Sequence, residues 1–517
     1  MSPRLCPFLA AAGLLAALAA PVRAQNAPPS PAGESAAPAA AANPAPAVAP
    51  ATASAPLTLE ECIRRAIEHG FDLEIQRFNP AIARDAVDIA RGGFIPTLAA
   101  TGSQSHANAE PLGTAPGTKS DAGTARLGVT ELLHSGTTVS VSTDLSRSES
   151  HPAAFTAFYN PAYNADLTVS VTQPLLRGAG PGVATATLRR ARIGEERARF
   201  DFKAKALDLV QQTETAYYNL VFAREQLNVF QVSLDLAQRL LEEAQEKKTV
   251  GTATDIDVLQ AQVGVANARS NVLQAQKSVR DGADALLALM GRFELDAPLG
   301  TTKFEEFSGQ LPVTESSYQL AIRNQPDYLS AKLLLDQLQV DLGVSRNALK
   351  PTLDLNGALG FNGARGSGSD AFSSAASRDN NSWQVGFTLS YPWGRVSDKA
   401  RYHQSLSTLN QQTLALRQLE QSILVQVRSA VRAVETNSEK VKIVALAAEF
   451  SAKQYDLELA RFAAGLATSR DVLQTQADLE NARVAALQAR ITLQNSISAL
   501  HRLEGSALER YHLTLPE

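Results

Sequence analysis

Gly251-Thr252-Ala253-Thr254-Asp255-Ile256-Asp257-Val258-Leu259-Gln260 recurs 214 positions later as Gly465-Leu466-Ala467-Thr468-Ser469-Arg470-Asp471-Val472-Leu473-Gln474. The match runs on through Asn267-Ala268-Arg269 against Asn481-Ala482-Arg483 and closes at Gly291 against Gly505. Identity holds at 18 of 41 positions, far more than a chain shares with itself by accident. Upstream, a gapless match at an offset of 255 pairs Ala66-Ile67 with Ala321-Ile322 and Asp72 with Asp327. The same offset pairs Pro96-Thr97-Leu98 with Pro351-Thr352-Leu353, and Gly102 with Gly357. Between these matches, Pro174 before Leu175 answers Pro392 before Trp393. The chain is a tandem duplication whose unit is too long for a solenoid repeat, so each half is a large lobe.

The recurring stretch reads as a turn between two long helices. Before it, residues 182–250 contain no proline, and two apolar rows advance in sevens. One row is Leu220, Leu227, Leu234 and Leu241; the other is Ala216, Ala223, Phe230, Ala237 and Ala244. A 4-3 alternation of this kind is a coiled-coil seam. At 1.5 Å per residue the helix is on the order of 100 Å long, which outgrows a globular core. Gly251 ends it, as glycine does where a helix closes in a left-handed conformation. Thr254 or Asp255 caps a second helix that returns to about Leu289. The other half repeats the plan with the row Val427, Val434, Val441, Ala448, Tyr455 and Phe462, a turn at Gly465, and a return through about Leu503. Each half is a long antiparallel helical hairpin. Ahead of the first, residues 57–92 carry helical spacing, with Thr58 as N-cap, Glu61 three residues on, and Pro96 as the break.

The segments between helices alternate with period two. Trp383-Gln384-Val385-Gly386-Phe387-Thr388-Leu389-Ser390-Tyr391 has one wholly apolar face, and Ala165 to Thr172 and the run from Leu353 do likewise. A soluble sandwich shows the same alternation. Here the strands are too few for a sandwich, and Trp383, Tyr391 and Trp393 stand where an aromatic girdle would lie. Gly/Ser/Asn-rich stretches at about 103–125 and 362–381 read as extracellular loops. A handful of strands cannot close a barrel, and an open edge in lipid is intolerable, so several copies must share one barrel.

The ends and the composition set the compartment and exclude other classes. Arg4, the apolar run Phe8 to Ala20, and Val22-Arg23-Ala24 before Gln25 read as a secretory signal peptide over residues 1–24. Residues 25–56 are an Ala/Pro-rich linker with nothing to bury. After Leu57 no apolar stretch is long enough for a helical membrane span, so entry into a membrane requires a β-barrel. Of 517 residues, 48 are Lys or Arg and 52 are Asp or Glu. The resulting net charge of −4 argues against a nucleic-acid partner. Two cysteines, Cys6 and Cys62, make neither a disulfide framework nor a thiolate zinc site. The seven histidines include no zincin motif. No catalytic set, metal or cofactor is expected.

The two-fold repeat, Phe94-Ile95-Pro96-Thr97-Leu98 with Leu349-Lys350-Pro351-Thr352-Leu353, Thr172-Gln173-Pro174-Leu175-Leu176-Arg177-Gly178, and the stretch Val250 through Leu259 together resemble the outer membrane efflux proteins, the TolC-like channel-tunnels. The likeness covers about residues 57–505. It implies an α+β membrane protein: long antiparallel coiled-coil hairpins, and β-strands contributing to a shared trimeric transmembrane β-barrel of 12 strands. The implied homotrimer is an exit duct of a tripartite efflux or type I secretion system. A periplasmic adaptor would dock at the hairpin tips and link it to an inner-membrane pump. The matching tip positions are Val250, Gly251, Thr252 and Ala253, with Ala464, Gly465, Leu466 and Ala467. The family closes its tunnel with acidic side chains on the second return helix. Asp471 matches the first such position, Gln474 stands at the next, and Asp257 is its counterpart in the first repeat. That leaves one acidic ring where some relatives have two. Asp257 and Asp471 also lie at helix starts, where the dipole alone favours a carboxylate. The extra alternating pair Leu127–Leu133 and Thr137–Leu145 departs from two strands per repeat and reads either as an extracellular hairpin or as added barrel strands.

The expected organisation is therefore signal peptide 1–24, linker 25–56, first repeat 57–312, second repeat 313–505 and tail 506–517. The rival reading is a periplasmic coiled-coil scaffold or adaptor without a barrel, which leaves the aromatic alternation unexplained. Gly178-x-Gly180-x-Gly182 imitates a phosphate loop but lacks the Rossmann spacing and a Walker lysine, and reads as a strand-to-helix junction. Cys62 reads as a small buried apolar residue.

Overall fold

The structure, a computed structural model, describes residues 57–110, 118–151, 158–251, 253–291 and 311–513. Its elements run α1 (Leu59–His69), α2 (Phe71–Gly92), β1 (Thr97–Ala109), β2 (Thr118–Leu132), β3 (Thr138–His151), β4 (Ala162–Pro174), α3 (Pro181–Ala184), α4 (Ala186–Thr249) and α5 (Asp255–Leu289). The second half runs α6 (Thr314–Asn324), α7 (Pro326–Ala348), β5 (Thr352–Arg365), α8 (Gly368–Ala376), β6 (Asn381–Ser390), α9 (Val396–Ala463), α10 (Ser469–Glu504) and α11 (Ala507–Arg510). The signal peptide and the Ala/Pro linker lie outside the described residues.

The long helices match the heptad reading: α4 has 64 residues and α9 has 68, about 100 Å each. Leu220, Ala223, Ala237 and Ala244 of the first seam are buried, as are Val427, Val434, Tyr455 and Phe462 of the second. α4 packs against α5 and α10, and α10 against α9, so α5 and α9 flank the set. Around the middle of α4 the core gathers Cys62, Ile63, Val210, Tyr217, Leu220, Leu286 and Met290. Toward the turns, Leu240 of α4 joins Tyr455, Phe462, Val472 and Leu479, which ties the two hairpins together.

Residues 57–92, expected as one helix, form two. Thr58 caps α1, its hydroxyl accepting from the Glu61 N–H at 3.4 Å. The chain leaves the helix at Gly70 (φ −66, ψ 117), where a Cβ would lie 2.3 Å from the Ala66 carbonyl oxygen and 3.2 Å from that of Leu289 at the end of α5. The second repeat breaks at the equivalent Gln325, whose N–H donates to the Ala321 carbonyl at 2.9 Å.

Among the described residues six strands form one antiparallel sheet in the order β1-β2-β3-β4-β5-β6. The register is continuous and sorts the side chains onto two faces. Leu98, Leu127, Val129, Val139, Val141, Leu167, Val169, Val171, Leu355, Leu359, Val385 and Phe387 share one. Ser103, Thr124, Ser140, Ser142, Thr168, Ser170, Asn356 and Thr388 share the other. The expectation of two strands per repeat is corrected: among the described residues the first repeat supplies four and the second two, so the count of four per chain behind a 12-stranded barrel does not hold. The loop readings are corrected as well. Most of 103–125 is strand, because water-facing strand residues are as rich in Ser, Thr and Gly as loops are, and 362–381 holds the end of β5 and helix α8.

The pair 127–145 joins the sheet, and its turn lies on the helix side. Leu133 N–H bonds the Thr137 carbonyl at 2.8 Å, and the Gly180 N–H bonds the Ser135 carbonyl at 3.3 Å. Gly136 adopts φ +90, and a Cβ on it would meet the Gly178 carbonyl oxygen at 2.9 Å. An extracellular tip there is excluded, since the turn is pinned to the strand-to-helix junction.

Candidate functional site

The ends of the two hairpins are built alike. α4 closes at Val250 and Gly251, the latter at φ +84, and α9 closes at Ala464 and Gly465, the latter at φ +75. Val250 is 78% exposed and Leu466 is 71% exposed, so apolar side chains stand free at both ends. Ala253 and Ala467 are half-buried. Thr252 lies outside the described residues.

Each return helix starts on a reciprocal cap. The Thr254 N–H and hydroxyl donate to Asp257 at 2.9 and 2.7 Å, and the Asp257 N–H returns a bond to Thr254 Oγ1 at 3.4 Å. Thr468 and Asp471 repeat this at 3.0, 2.7 and 3.4 Å. These bonds, chiefly from the threonine side chain at Asp257 and from the Thr468 N–H at Asp471, hold both carboxyls below the usual carboxylate range. Both are anions at neutral pH, and capping is their immediate job. Asp257 also accepts from the Ser469 hydroxyl at 3.3 Å, which couples one hairpin end to the other. Lys247 strengthens the coupling: its ammonium donates to the Phe462 carbonyl at 2.9 Å and sits 3.6 Å above the Phe462 ring.

Along α10 the buried side is Val472, Thr475, Gln476 and Leu479, and Gln476 donates to the Ser233 carbonyl of α4 at 2.7 Å. The opposite side shows Asp471, Gln474, Asp478, Asn481, Ala485 and Gln488, all exposed, at the 3-4 spacing of a single helix face. Gln474 donates to Asp478 Oδ1 at 3.1 Å. Asp478 was missed in the sequence; its seven-residue spacing from Asp471 was the available signal. The face therefore carries two carboxylates two turns apart with an amide between them, in place of a lone acid.

The sheet completes the site. Trp383, Val385, Phe387, Leu389, Tyr391 and Trp393 are all more than half exposed on one side of β6 or just beyond it. A contiguous bare apolar strip of this kind is a surface made for a nonaqueous neighbour. Trp383 and Tyr391 bound it at opposite ends, about 26 Å apart at strand rise, close to the apolar band of an outer-membrane barrel. The other face is laced by polar rungs. Ser103 and Thr124 are 2.6 Å apart, Ser140 and Ser170 2.6 Å, Thr172 donates to Asn356 at 3.2 Å, and Asn356 donates to Thr388 at 2.9 Å. Arg126 and Asp144 add an ion pair at 3.3 Å. Where sheet meets helix, the Gly178 N–H donates to the buried Asn347 side chain at 2.7 Å, and Gly178 and Gly180 sit at φ +83 and +90. The glycine run is a chain-turning junction. Among the described residues no helix is long and apolar enough to cross a membrane, and no group of His, Cys, Asp and Glu is placed to hold a metal ion.

A sheet with one apolar and one polar face, carried on paired helical hairpins about 100 Å long, defines an outer-membrane channel with a periplasmic helical tunnel. The sequence model of the outer membrane efflux protein family matches residues 62–292 and 317–506, one segment per repeat, and the chain belongs to that family. It is 24% identical over 333 residues to the pyoverdine export outer membrane protein OpmQ of Pseudomonas aeruginosa, covering 63% of this chain and 67% of that one. It is 24% identical over 291 residues to the outer membrane protein TolC of Escherichia coli, covering 54% of this chain and 58% of that one. The fold superposes on the outer-membrane channel OprN with a TM-score of 0.68 at 19% identity, over 86% of this chain and 89% of that one. The protein is an outer-membrane channel whose helical tunnel lies in the periplasm.

Proposed function

We propose that three copies form the exit duct of a tripartite efflux or type I secretion system, a passive conduit opened when a periplasmic adaptor and an inner-membrane pump dock. One observation carries this reading: a single chain leaves complementary apolar rows bare on both flanks. α5 exposes Ile256, Leu259, Val263 and Leu273, and α9 exposes Ile443, Leu446, Phe450 and Leu457. Both rows follow the 3-4 spacing of a coiled-coil seam. A seam with no partner inside the chain is satisfied when α9 of one copy meets α5 of the next, which closes a ring. A scaffold without a barrel leaves the two-faced sheet unexplained.

Adaptor contact falls on Val250, Gly251, Thr252, Ala253, Ala464, Gly465, Leu466 and Ala467, where small or bare apolar side chains let a partner reach the backbone. The gate falls on the α10 face, with Asp471 and Asp478 as two acidic rings and Gln474 between them. Asp257 acts indirectly, holding Ser469 and thereby the start of α10. Trp383, Tyr391 and Trp393 anchor the barrel in lipid. Residues 1–24 act as the export signal and 25–56 as a tether ahead of repeats 57–312 and 313–505 and the tail 506–517. The test is extraction and sizing: the mature chain should stay with outer membranes through alkaline wash and run as a heat-sensitive trimer. A soluble monomer would overturn the reading.

A further inference from the structure

Resting on the trimeric duct, we propose that the barrel closes with 18 strands: three copies of the six-stranded sheet, the β2–β3 pair being part of the lipid-facing wall. β2 and β3 have 15 and 14 residues against 13 in each of β1 and β4, so they are full-height members. Their residues continue both faces without a slip: Leu127, Val129, Val139 and Val141 stand on the apolar side, and Arg126, Ser140, Ser142 and Asp144 on the polar side. A hairpin standing in water has no cause to keep that sorting, whereas a wall between lipid and water does. The Ser135–Gly136 turn is tied to Gly180 and packed on Gly178, so the pair cannot lift away from the helix-side end.

The free edges fit a second copy of this chain. β1 runs away from the helices and β6 runs back toward them, so β6 of one copy and β1 of the next meet antiparallel. With the helix-side ends level, Thr97 stands beside Ser390. Thr101 and Ser103 then continue the polar side of Gly386 and Gln384, and Leu98 continues the apolar side of Leu389. At about 4.8 Å between strands and a tilt of about 40°, 18 strands enclose a backbone diameter of about 36 Å, against about 24 Å for 12. α8 does not narrow this bore, because Ala371 and Ala375 pack on Ala165 and Tyr163 of the apolar face. The outer-membrane end is then the wide part of the duct, and the α10 face at the tips is what limits the size of cargo.

Two measurements test this on the full mature chain. Images of the extracted trimer viewed down its axis should count 18 strands around the wall. In whole cells, Val141→Cys should resist a membrane-impermeant maleimide while its neighbour Ser142→Cys is labelled from the water-filled bore; the buried Cys62 stays silent in both. A trimer with 12 strands in the wall, or equal labelling of both cysteines, overturns the inference and leaves the duct standing. Absence of a barrel or of three-fold symmetry overturns the duct and the inference together.

Discussion

Asp471 has two duties, and they can be separated. As a cap it anchors α10 through Thr468; in the proposed gate it is an exposed anion facing the cargo. Asp471→Asn keeps an acceptor for the cap and removes the charge, whereas Thr468→Ala removes the cap and keeps the charge. If the gate is electrostatic, Asp471→Asn and Asp478→Asn should each cut cation preference in planar bilayers several-fold, and the pair should nearly abolish it. Thr468→Ala should leave selectivity alone and loosen the tip to proteolysis. Equal ion preference in wild type and the double variant would leave Asp471 as a cap only. His501 offers a separate residue-scale test. Burial, with the Arg510 charge beside it, holds its imidazole down at about 4. The unfolded chain takes up that proton near 6.5, so the folded state loses stability as pH falls from about 6.5 to about 4. Glu214, pushed up by burial and bonded to Tyr511 at 2.5 Å, has the opposite sign and gains stability as it protonates. The melting temperature of His501→Gln should therefore fall less steeply than that of wild type across that window, with the Glu214 contribution common to both.

At the scale of elements, glycines that look equivalent do different work. Gly251 and Gly465 turn the hairpins at positive φ with open space around them, so alanine costs roughly 1–2 kcal/mol of left-handed strain and nothing more. Gly505 is also left-handed, at φ +69, but a Cβ on it would lie 2.8 Å from the Asn324 carbonyl oxygen. A Cβ on its counterpart Gly291 would lie 2.0 Å from the His69 carbonyl oxygen, the same close approach in the first repeat. Chemical denaturation should accordingly show Gly505→Ala and Gly291→Ala to be clearly more destabilising than Gly465→Ala; equal losses would refute the close-approach argument. The turn glycines were legible in the sequence because their reason is local. Gly291 and Gly505 were legible only as ends of a repeat, since their reason lies on a helix far upstream, at His69 and Asn324. The strands divide the same way. β6 announces itself through Trp383, Val385, Phe387 and Leu389, all on one face. β1 hides, because Gly102-Ser103-Gln104-Ser105 has the composition of a loop, although its residues alternate between the faces and only Ser103 and Ser105 stand on the polar one. Asp478 hid for a third reason: nothing in its own neighbourhood marks it until α10 has a buried side and a bare one.

For the whole molecule the question is what keeps the copies together, and the helices and strands give independent answers. In the proposed ring, strand pairing between β6 of one copy and β1 of the next supplies backbone bonds that lipid makes obligatory. The helical contact depends on side chains, so it can be removed without touching the sheet. Phe450 is 60% exposed and Leu457 64% exposed in a single chain, on α9 and far from the inner seam of Val427 and Val434. Burying each against a neighbouring α5 contributes about 1.5–3 kcal/mol per copy, counted three times around a closed ring. Phe450→Asp with Leu457→Asp sets charge into all three seams while leaving every intrachain core contact in place. The expected outcome is a chain with unchanged helical circular dichroism that no longer runs as a heat-sensitive trimer in mild detergent. The same exchange at Leu414, which is 63% exposed but off the Phe450–Leu457 heptad row, should leave the trimer intact. If the double variant stays trimeric, the barrel alone holds the ring and the α9 row serves a different partner. If both sets of substitutions dissociate it, the effect is one of charge and not of a seam.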